Sequence, residues 1–242
     1  MLRILLGVGL SVVLVSSSAM ALEGAGTRKE RVAKETMKEI GEAQKAYEAE
    51  KWDDVITHSE KVLANDKLDP KLAYPAHQLH LIAYLKKDPA NACKTIMPDL
   101  EFVTAADQMV LKDKPDAEKA AKAADFQSLK GKCQNDLKVG DKGLAAYGMA
   151  IQMDPSNWSH YWGRCWVNYQ NEKYAEALPD CQKAAQLNAT DVQSRKVIAN
   201  SLQHLDRNQE ALTAWQDVLE VAPNDEMAKK TVADLKKLLK VQ

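Results

Sequence analysis

One period organises the C-terminal half of this 242-residue chain. The tripeptides Met153-Asp154-Pro155, Leu187-Asn188-Ala189 and Val221-Ala222-Pro223 follow one another at intervals of thirty-four residues. Gly143, Ala177 and Ala211 keep the same interval. So do Tyr147, Cys181 and Trp215, then Ala150, Ala184 and Val218, and then Gly131, Cys165 and Ala199. Rows of small residues mark where two antiparallel helices approach most closely, and a larger side chain one turn on fills the gap beside them. Proline closes the unit because it cannot continue a helix. A unit of this length is a helix-turn-helix pair. One pair cannot bury its apolar face alone, so copies stack.

Composition agrees with helices. Glycine (10) and phenylalanine (2) are scarce, and 45% hydrophobic with 28% charged residues is a globular balance. Lys and Arg (33) nearly equal Asp and Glu (34), for a net charge of -1. No basic excess is present to draw nucleic acid or an anionic membrane surface, so nucleic acid is not an expected partner.

The first residues read as a targeting segment. Arg3 supplies a positive head, Ile4 to Val15 form a short apolar run, and Ala19-Met20-Ala21 ends it with small residues. This pattern is that of a cleaved secretory signal spanning 1–21, with cleavage after Ala21. The run is too short to cross a bilayer comfortably. No integral membrane segment is expected after cleavage, and the expected location is periplasmic or secreted. The four cysteines, Cys93, Cys133, Cys165 and Cys181, then meet an oxidising compartment, and none forms a C-x-x-C pair.

The repeat resembles that of the tetratricopeptide repeat (TPR) family, whose 34-residue units carry a small-residue row, an Ala, an aromatic and a closing Pro. The best copies are 124–157, 158–191 and 192–225. In the middle copy, helix A runs Trp158 to Asn171, the turn is Glu172-Lys173, and helix B runs Tyr174 to Leu187. The pattern departs from the family where Ala189 replaces the proline and Gly143 the alanine. The usual Leu-Gly pair reads Lys130-Gly131, Arg164-Cys165 and Ile198-Ala199. Residues 22–123 read as degenerate TPR-like repeats with an irregular insertion. Thr36 to Asp69 form a further copy, a degenerate one follows near Ala73–Asp99, and a lengthened helix pair around Pro115 breaks the register. Residues 226–242 form a capping helix, with Met227, Val232, Leu235, Leu238 and Leu239 set among lysines. The resemblance implies an all-α, right-handed superhelical solenoid of TPR helix pairs closed by that helix.

The repeat geometry implied by the resemblance favours the disulfides Cys165–Cys181 and Cys93–Cys133 over the other two connectivities, with buried free thiols as the alternative. It also implies a concave face lined by the A helices. Trp162, Trp166 and Tyr169 share one face of such a helix. Lys132 and Asn135 precede them, and Lys196, Asn200 and Gln203 follow. These eight residues are the expected partner-binding set, since Trp and Tyr contribute large contact area with little rotamer loss. Packing between helices is the alternative use of the aromatics. Lys196 and Asn200 resemble part of the family's carboxylate clamp, without its full set. Gln44, Tyr47, His77, Leu81 and Tyr84 are N-terminal groove candidates.

No catalytic, phosphate-loop or dinucleotide motif is present. His77 and His80 lie three apart without a third ligand, so packing or surface is favoured over metal, and no cofactor or metal is expected. The expected function is a periplasmic scaffold, not an enzyme, that binds a protein or extended peptide in its groove within an envelope assembly, secretion or maturation complex. It would be a monomer or homodimer. The alternatives are a small-molecule binding protein using the aromatic cleft, or a self-associating structural module.

Overall fold

A computed structural model describes residues 27–65 and 67–241. The expected signal segment, 1–21, lies outside the described residues. Among these residues there are eleven α-helices and no strand. They are α1 (Arg28–Glu48), α2 (Trp52–Leu63), α3 (Pro70–Lys87), α4 (Ala92–Asp113), α5 (Ala117–Asp136), α6 (Gly140–Met153), α7 (Trp158–Gln170), α8 (Tyr174–Leu187), α9 (Val192–His204), α10 (Asn208–Val221) and α11 (Glu226–Leu239). The chain divides into two compact units, with the boundary inside α5 after Cys133.

The period that orders the sequence also orders the helix ends. α7, α9 and α11 are capped at their N-termini by Asn157, Asp191 and Asp225, one period apart, and each side chain accepts from a backbone N–H of the first turn. A short polar side chain at this place satisfies donors that have no partner inside the helix. Lys138, Glu172, Asp206 and Lys240 recur on the same interval, each with φ between 55° and 61°. Each closes a Schellman motif. At Glu172 the bonds are Glu172 N–H to Tyr169 C=O and Lys173 N–H to Asn168 C=O, and the other three repeat them. Glu50 closes α1 in the same way. The left-handed turn is thus made without glycine at every copy, at a backbone cost that packing offsets. The helices that follow these turns, α2, α6, α8 and α10, begin with no side-chain cap.

The register break lies where the helices lengthen: α4 has 22 residues and α5 has 20. In the N-terminal unit, Ile40, Val55, Leu79 and Ala83 form one apolar layer, and Leu81, Ile96, Leu100, Val103, Phe126 and Leu129 form another. In the C-terminal unit, Trp162, Cys165, Ala177, Cys181, Ala184 and Val197 pack together, followed by Ala199, Ala211, Trp215, Val218 and Leu235. Small residues at the period positions let the helices close. Gly163 shows the tolerance, since a Cβ there would overlap the ring of buried Tyr147.

Both units contain a disulfide. Cys93 on α4 is bonded to Cys133 on α5, with Cα atoms 4.9 Å apart. Cys165 on α7 is bonded to Cys181 on α8, at 5.3 Å. Both separations fall within the range a disulfide spans without moving the backbone.

Candidate functional site

A ladder of rings crosses α7, α8 and α9. Trp162 and Trp166 have centroids 5.5 Å apart. Trp166 stacks on Tyr169 at 5.7 Å, and Tyr169 meets Tyr174 edge-on at 5.6 Å. Tyr174 stacks on His204 at 4.3 Å, the two planes 4° from parallel. Spacings of three and four residues place the first three rings on one helix face. The turn at Glu172 then brings Tyr174 beside Tyr169, and Tyr174 reaches the next repeat at His204. Exposure rises along the ladder from buried Trp162, through half-buried Trp166, Tyr169 and Tyr174, to exposed His204. Burial, and then the neighbouring Tyr174, raise the Tyr169 phenol above its ordinary range, so it stays a neutral hydroxyl.

Trp162 corrects the expectation of an open platform. It is 7% exposed and belongs to the core formed by Cys165, Ala177, Cys181, Ala184 and Val197, so it supports Trp166 from below. The polar residues expected beside the rings are mostly engaged within the chain. Lys196 forms an ion pair with Asp225, the cap of α11, and so is not a free clamp cation. That pairing, followed by the Ala228 backbone N–H, holds the Asp225 carboxyl below the usual range. Gln203 Oε1 accepts from Trp215 Nε1 at 2.7 Å. Asn135 Nδ2 donates to Gln170 Oε1 at 2.9 Å. Asn200 is half-buried on α9. Lys132 is half-buried on α5, in the N-terminal unit. The structure thus links Trp162, Trp166 and Tyr169 directly, and it turns Lys196, Gln203 and Asn135 to internal partners.

Beneath the ladder, Arg164 on α7 grips Asp180 on α8 through two parallel bonds, Nε to Oδ2 at 2.6 Å and Nη2 to Oδ1 at 2.7 Å. A planar guanidinium fork matches a carboxylate and fixes the helix pair. Beyond the ladder, a cleft of about 450 Å³ is lined by Gln203, Asn208, Met227, Lys230, Asp234 and Leu238, among others.

The N-terminal unit contains a polar cluster that the sequence alone did not reveal. Asp99 on α4 is 3% exposed and binds both histidines of α3, Oδ1 to His77 Nδ1 and Oδ2 to His80 Nδ1, each at 2.7 Å. His80 Nε2 lies 3.7 Å from Glu60 of α2. His77 stacks on Phe102 at 4.1 Å, and His80 meets Tyr84 edge-on at 4.9 Å. Burial alone would raise the Asp99 carboxyl, but the two imidazole hydrogen bonds outweigh it and hold it below its ordinary range. Burial pulls His80 down, yet its bond to Asp99 and the charges of Asp99 and Glu60 leave it raised. One turn on, Tyr74 donates to Asp107 at 2.6 Å and accepts from Gln78 at 3.1 Å. Burial pushes the Asp107 carboxyl up. Among the described residues no group of three His, Cys, Asp or Glu side chains is placed to hold a metal. The histidine pair instead closes on a carboxylate that joins α3 to α4. Of the other N-terminal groove candidates, Leu81 is core, Gln44 and Tyr84 are half-buried, and half-buried Tyr47 meets Trp52 edge-on.

The caps, the turns and the stacked helix pairs define a helical-repeat protein. No family model matches the chain. Serine/threonine-protein phosphatase 5 of Rattus norvegicus is 30% identical over 131 residues, 53% of this chain and 26% of that protein. Small glutamine-rich tetratricopeptide repeat-containing protein 2 of Mycosarcoma maydis is 29% identical over 127 residues, 52% of this chain and 35% of that protein. The chain therefore matches only about a quarter to a third of the length of these curated relatives. The solved structure of MamA has the same fold, with a TM-score of 0.60 over 78% of this chain and 92% of that one, at 14% identity. The chain has the fold of a tetratricopeptide repeat solenoid. No helix among the described residues is long and apolar enough to cross a membrane.

Proposed function

We propose that the chain is an interaction scaffold that holds an extended peptide segment of a partner protein against the ring ladder of α7 to α9. The observation that carries this reading is the gradient of exposure along the ladder. Trp162 is locked in the core and fixes Trp166. Trp166 and Tyr169 keep partly open faces, and His204 lies open beyond them. Pre-set aromatic surfaces bind with little loss of rotamer freedom and are favoured at binding hot spots. Half-buried Asn200 and the free amide of Gln203 supply hydrogen-bonding groups for a peptide backbone. The neighbouring cleft favours a peptide over a small molecule. It is open to solvent, whereas small ligands are held in enclosed apolar pockets.

The scaffold acts outside the cytoplasm, in the periplasm, within an envelope assembly, secretion or maturation complex. Two supports carry this part. The signal-like pattern of residues 1–21 routes the chain for export. Both cysteine pairs lie at bridging distance, which suits an oxidising compartment. The chain binds and does not catalyse. The phosphatase relative is matched over only 26% of its length, so its activity gives no reason to assign one here.

Selection of peptides from a displayed random library on the protein spanning 22–242, followed by calorimetry, tests the reading. Selected peptides should lose about tenfold or more in affinity for Trp166→Ala/Tyr169→Ala, the scale of one hot-spot residue. Equal affinity for the wild type and the variant would overturn it. Trp162 is left intact because its removal would open a cavity in the core.

A further inference from the structure

The last helix presents a face that matches itself. Met227 is 54% exposed and Leu238 63%, at opposite ends of α11. Between them along the same face lie Lys230, Ala233, Asp234 and Lys237, all exposed, with Glu226 beside Met227. Neither Lys230 nor Asp234 is in an ion pair among the described residues. Glu226 pairs with Lys229 at 2.9 Å across a surface turn, an exposed contact that costs little to exchange. Read from the N-terminus, the charges along the face run negative, positive, negative, positive: Glu226, Lys230, Asp234, Lys237. Read from the C-terminus, the order is the opposite.

We propose that α11 is a self-association face on which a second copy of this chain docks antiparallel, about a two-fold axis level with residue 232. Antiparallel docking sets Lys230 against Asp234 of the second copy, and Asp234 against its Lys230. It also sets Glu226 against Lys237, and Met227 against Leu238. Every charge meets its opposite and each exposed apolar end is covered. A two-fold axis uses one patch twice, so each pairing occurs twice. The small, exposed side chain of Ala233, beside the axis, lets the two helix axes approach. A parallel arrangement would stack like on like and is excluded by the same order of charges. The helix has 14 residues, about 21 Å of length. One such helix pair buries less than the ~800 Å² per partner of a standard interface, so the dimer is a weak one that forms at high protein concentration.

Sedimentation equilibrium across a concentration series, at low and high salt, tests the proposal. The wild type should show a monomer–dimer equilibrium that weakens with salt. Lys230→Asp and Asp234→Lys should each weaken dimerisation about tenfold or more, because each creates two like-charge contacts. An equimolar mixture of these two variants should dimerise again, since each now carries the complement of the other. The doubly exchanged Lys230→Asp/Asp234→Lys chain should regain self-association. A wild type that stays monomeric, a larger assembly, or a mixture no better than its components would overturn the proposal. Cross-linking gives a second reading that does not depend on those charges. Chains with Met227→Cys mixed with chains with Leu238→Cys should form a covalent dimer on mild oxidation. Cross-linking of Met227→Cys chains alone, without the mixed product, would show a parallel arrangement and overturn the antiparallel one.

Discussion

In the N-terminal unit the junction between α3 and α4 is tied by a buried carboxylate shared between two imidazoles, with Tyr74 and Asp107 one turn further on. In the C-terminal unit the junction between α7 and α8 is tied by the Arg164–Asp180 fork and covered by a layer of rings. Both solutions pair helices within the same kind of repeat, but they leave different things over. The His77–Asp99–His80 cluster uses both carboxylate oxygens internally and has little left for a partner. The ring layer uses one face of Trp166 and Tyr169 for packing and leaves the rest partly open. A polar lock specifies one packing geometry and titrates with pH. An aromatic layer gives up some burial and keeps a surface that a partner can use.

The comparison breaks first at Asp99. Asp99→Ala leaves buried His80 and half-buried His77 without their acceptor and should cost about 3–5 kcal/mol, the scale for removing one partner of a buried pair. Urea denaturation would read this as a lower midpoint. Trp166→Ala, which trims a half-buried ring, should cost less, and the reverse order would refute the contrast between the units.

The disulfides sharpen it next. The N-terminal bridge closes a loop of 40 residues and the C-terminal bridge one of 16. On loop entropy alone, paired replacement by alanine should cost about 4 kcal/mol for Cys93/Cys133 and about 3 kcal/mol for Cys165/Cys181. Denaturation of the two double variants without reductant would show the order.

The units should also respond to pH with opposite sign. Burial pushes His160 of the C-terminal unit, which is 0% exposed, down to about 4. Its contribution is therefore full above an unfolded value of ~6.5 and is lost as pH falls through about 4. His80 of the N-terminal unit is raised, so its contribution is full below ~6.5 and is lost as pH rises through its folded value. Asp99, held low, contributes above ~3.9 and loses that contribution as pH falls further. Between pH ~6.5 and ~4, His160→Phe should flatten the acid loss of stability, whereas His80→Asn should leave that range unchanged and remove the gain in stability that accompanies falling pH just above ~6.5. Melting temperatures measured on both sides of pH ~6.5 would show both, and a His80→Asn effect confined to the acid side would contradict the assignment.

The smallest effect lies in the turns. Glu172 holds φ 59° without being glycine. Glu172→Gly should gain up to about 1 kcal/mol by removing the left-handed cost, less the added freedom of the unfolded chain. Thermal unfolding would detect the gain.

The repeat was legible because it is written in side-chain size. Ala177, Cys181 and Ala184 reveal a close helix approach before any coordinates exist, and the middle copy's helices run Trp158–Gln170 and Tyr174–Leu187. The turns were less legible. Lys138, Glu172 and Asp206 keep the period, but no glycine marks their left-handed backbone. Asp99 was not legible as the partner of His77 and His80. It lies 22 and 19 residues away, and only the lateral setting of α4 on α3 brings the three together. The roles of Trp162 and Lys196 depended on neighbours as well. Val197 of the next repeat helps bury the first, and Asp225 of the helix after that neutralises the second. Periodicity says which side chains share a face, and the adjacent repeat decides whether that face stays open.

Backbone hydrogen exchange of the protein with and without a selected peptide tests the central claim most directly. The account predicts added protection in α7 and α9 and none in α3 and α4. Protection confined to the N-terminal unit would contradict it.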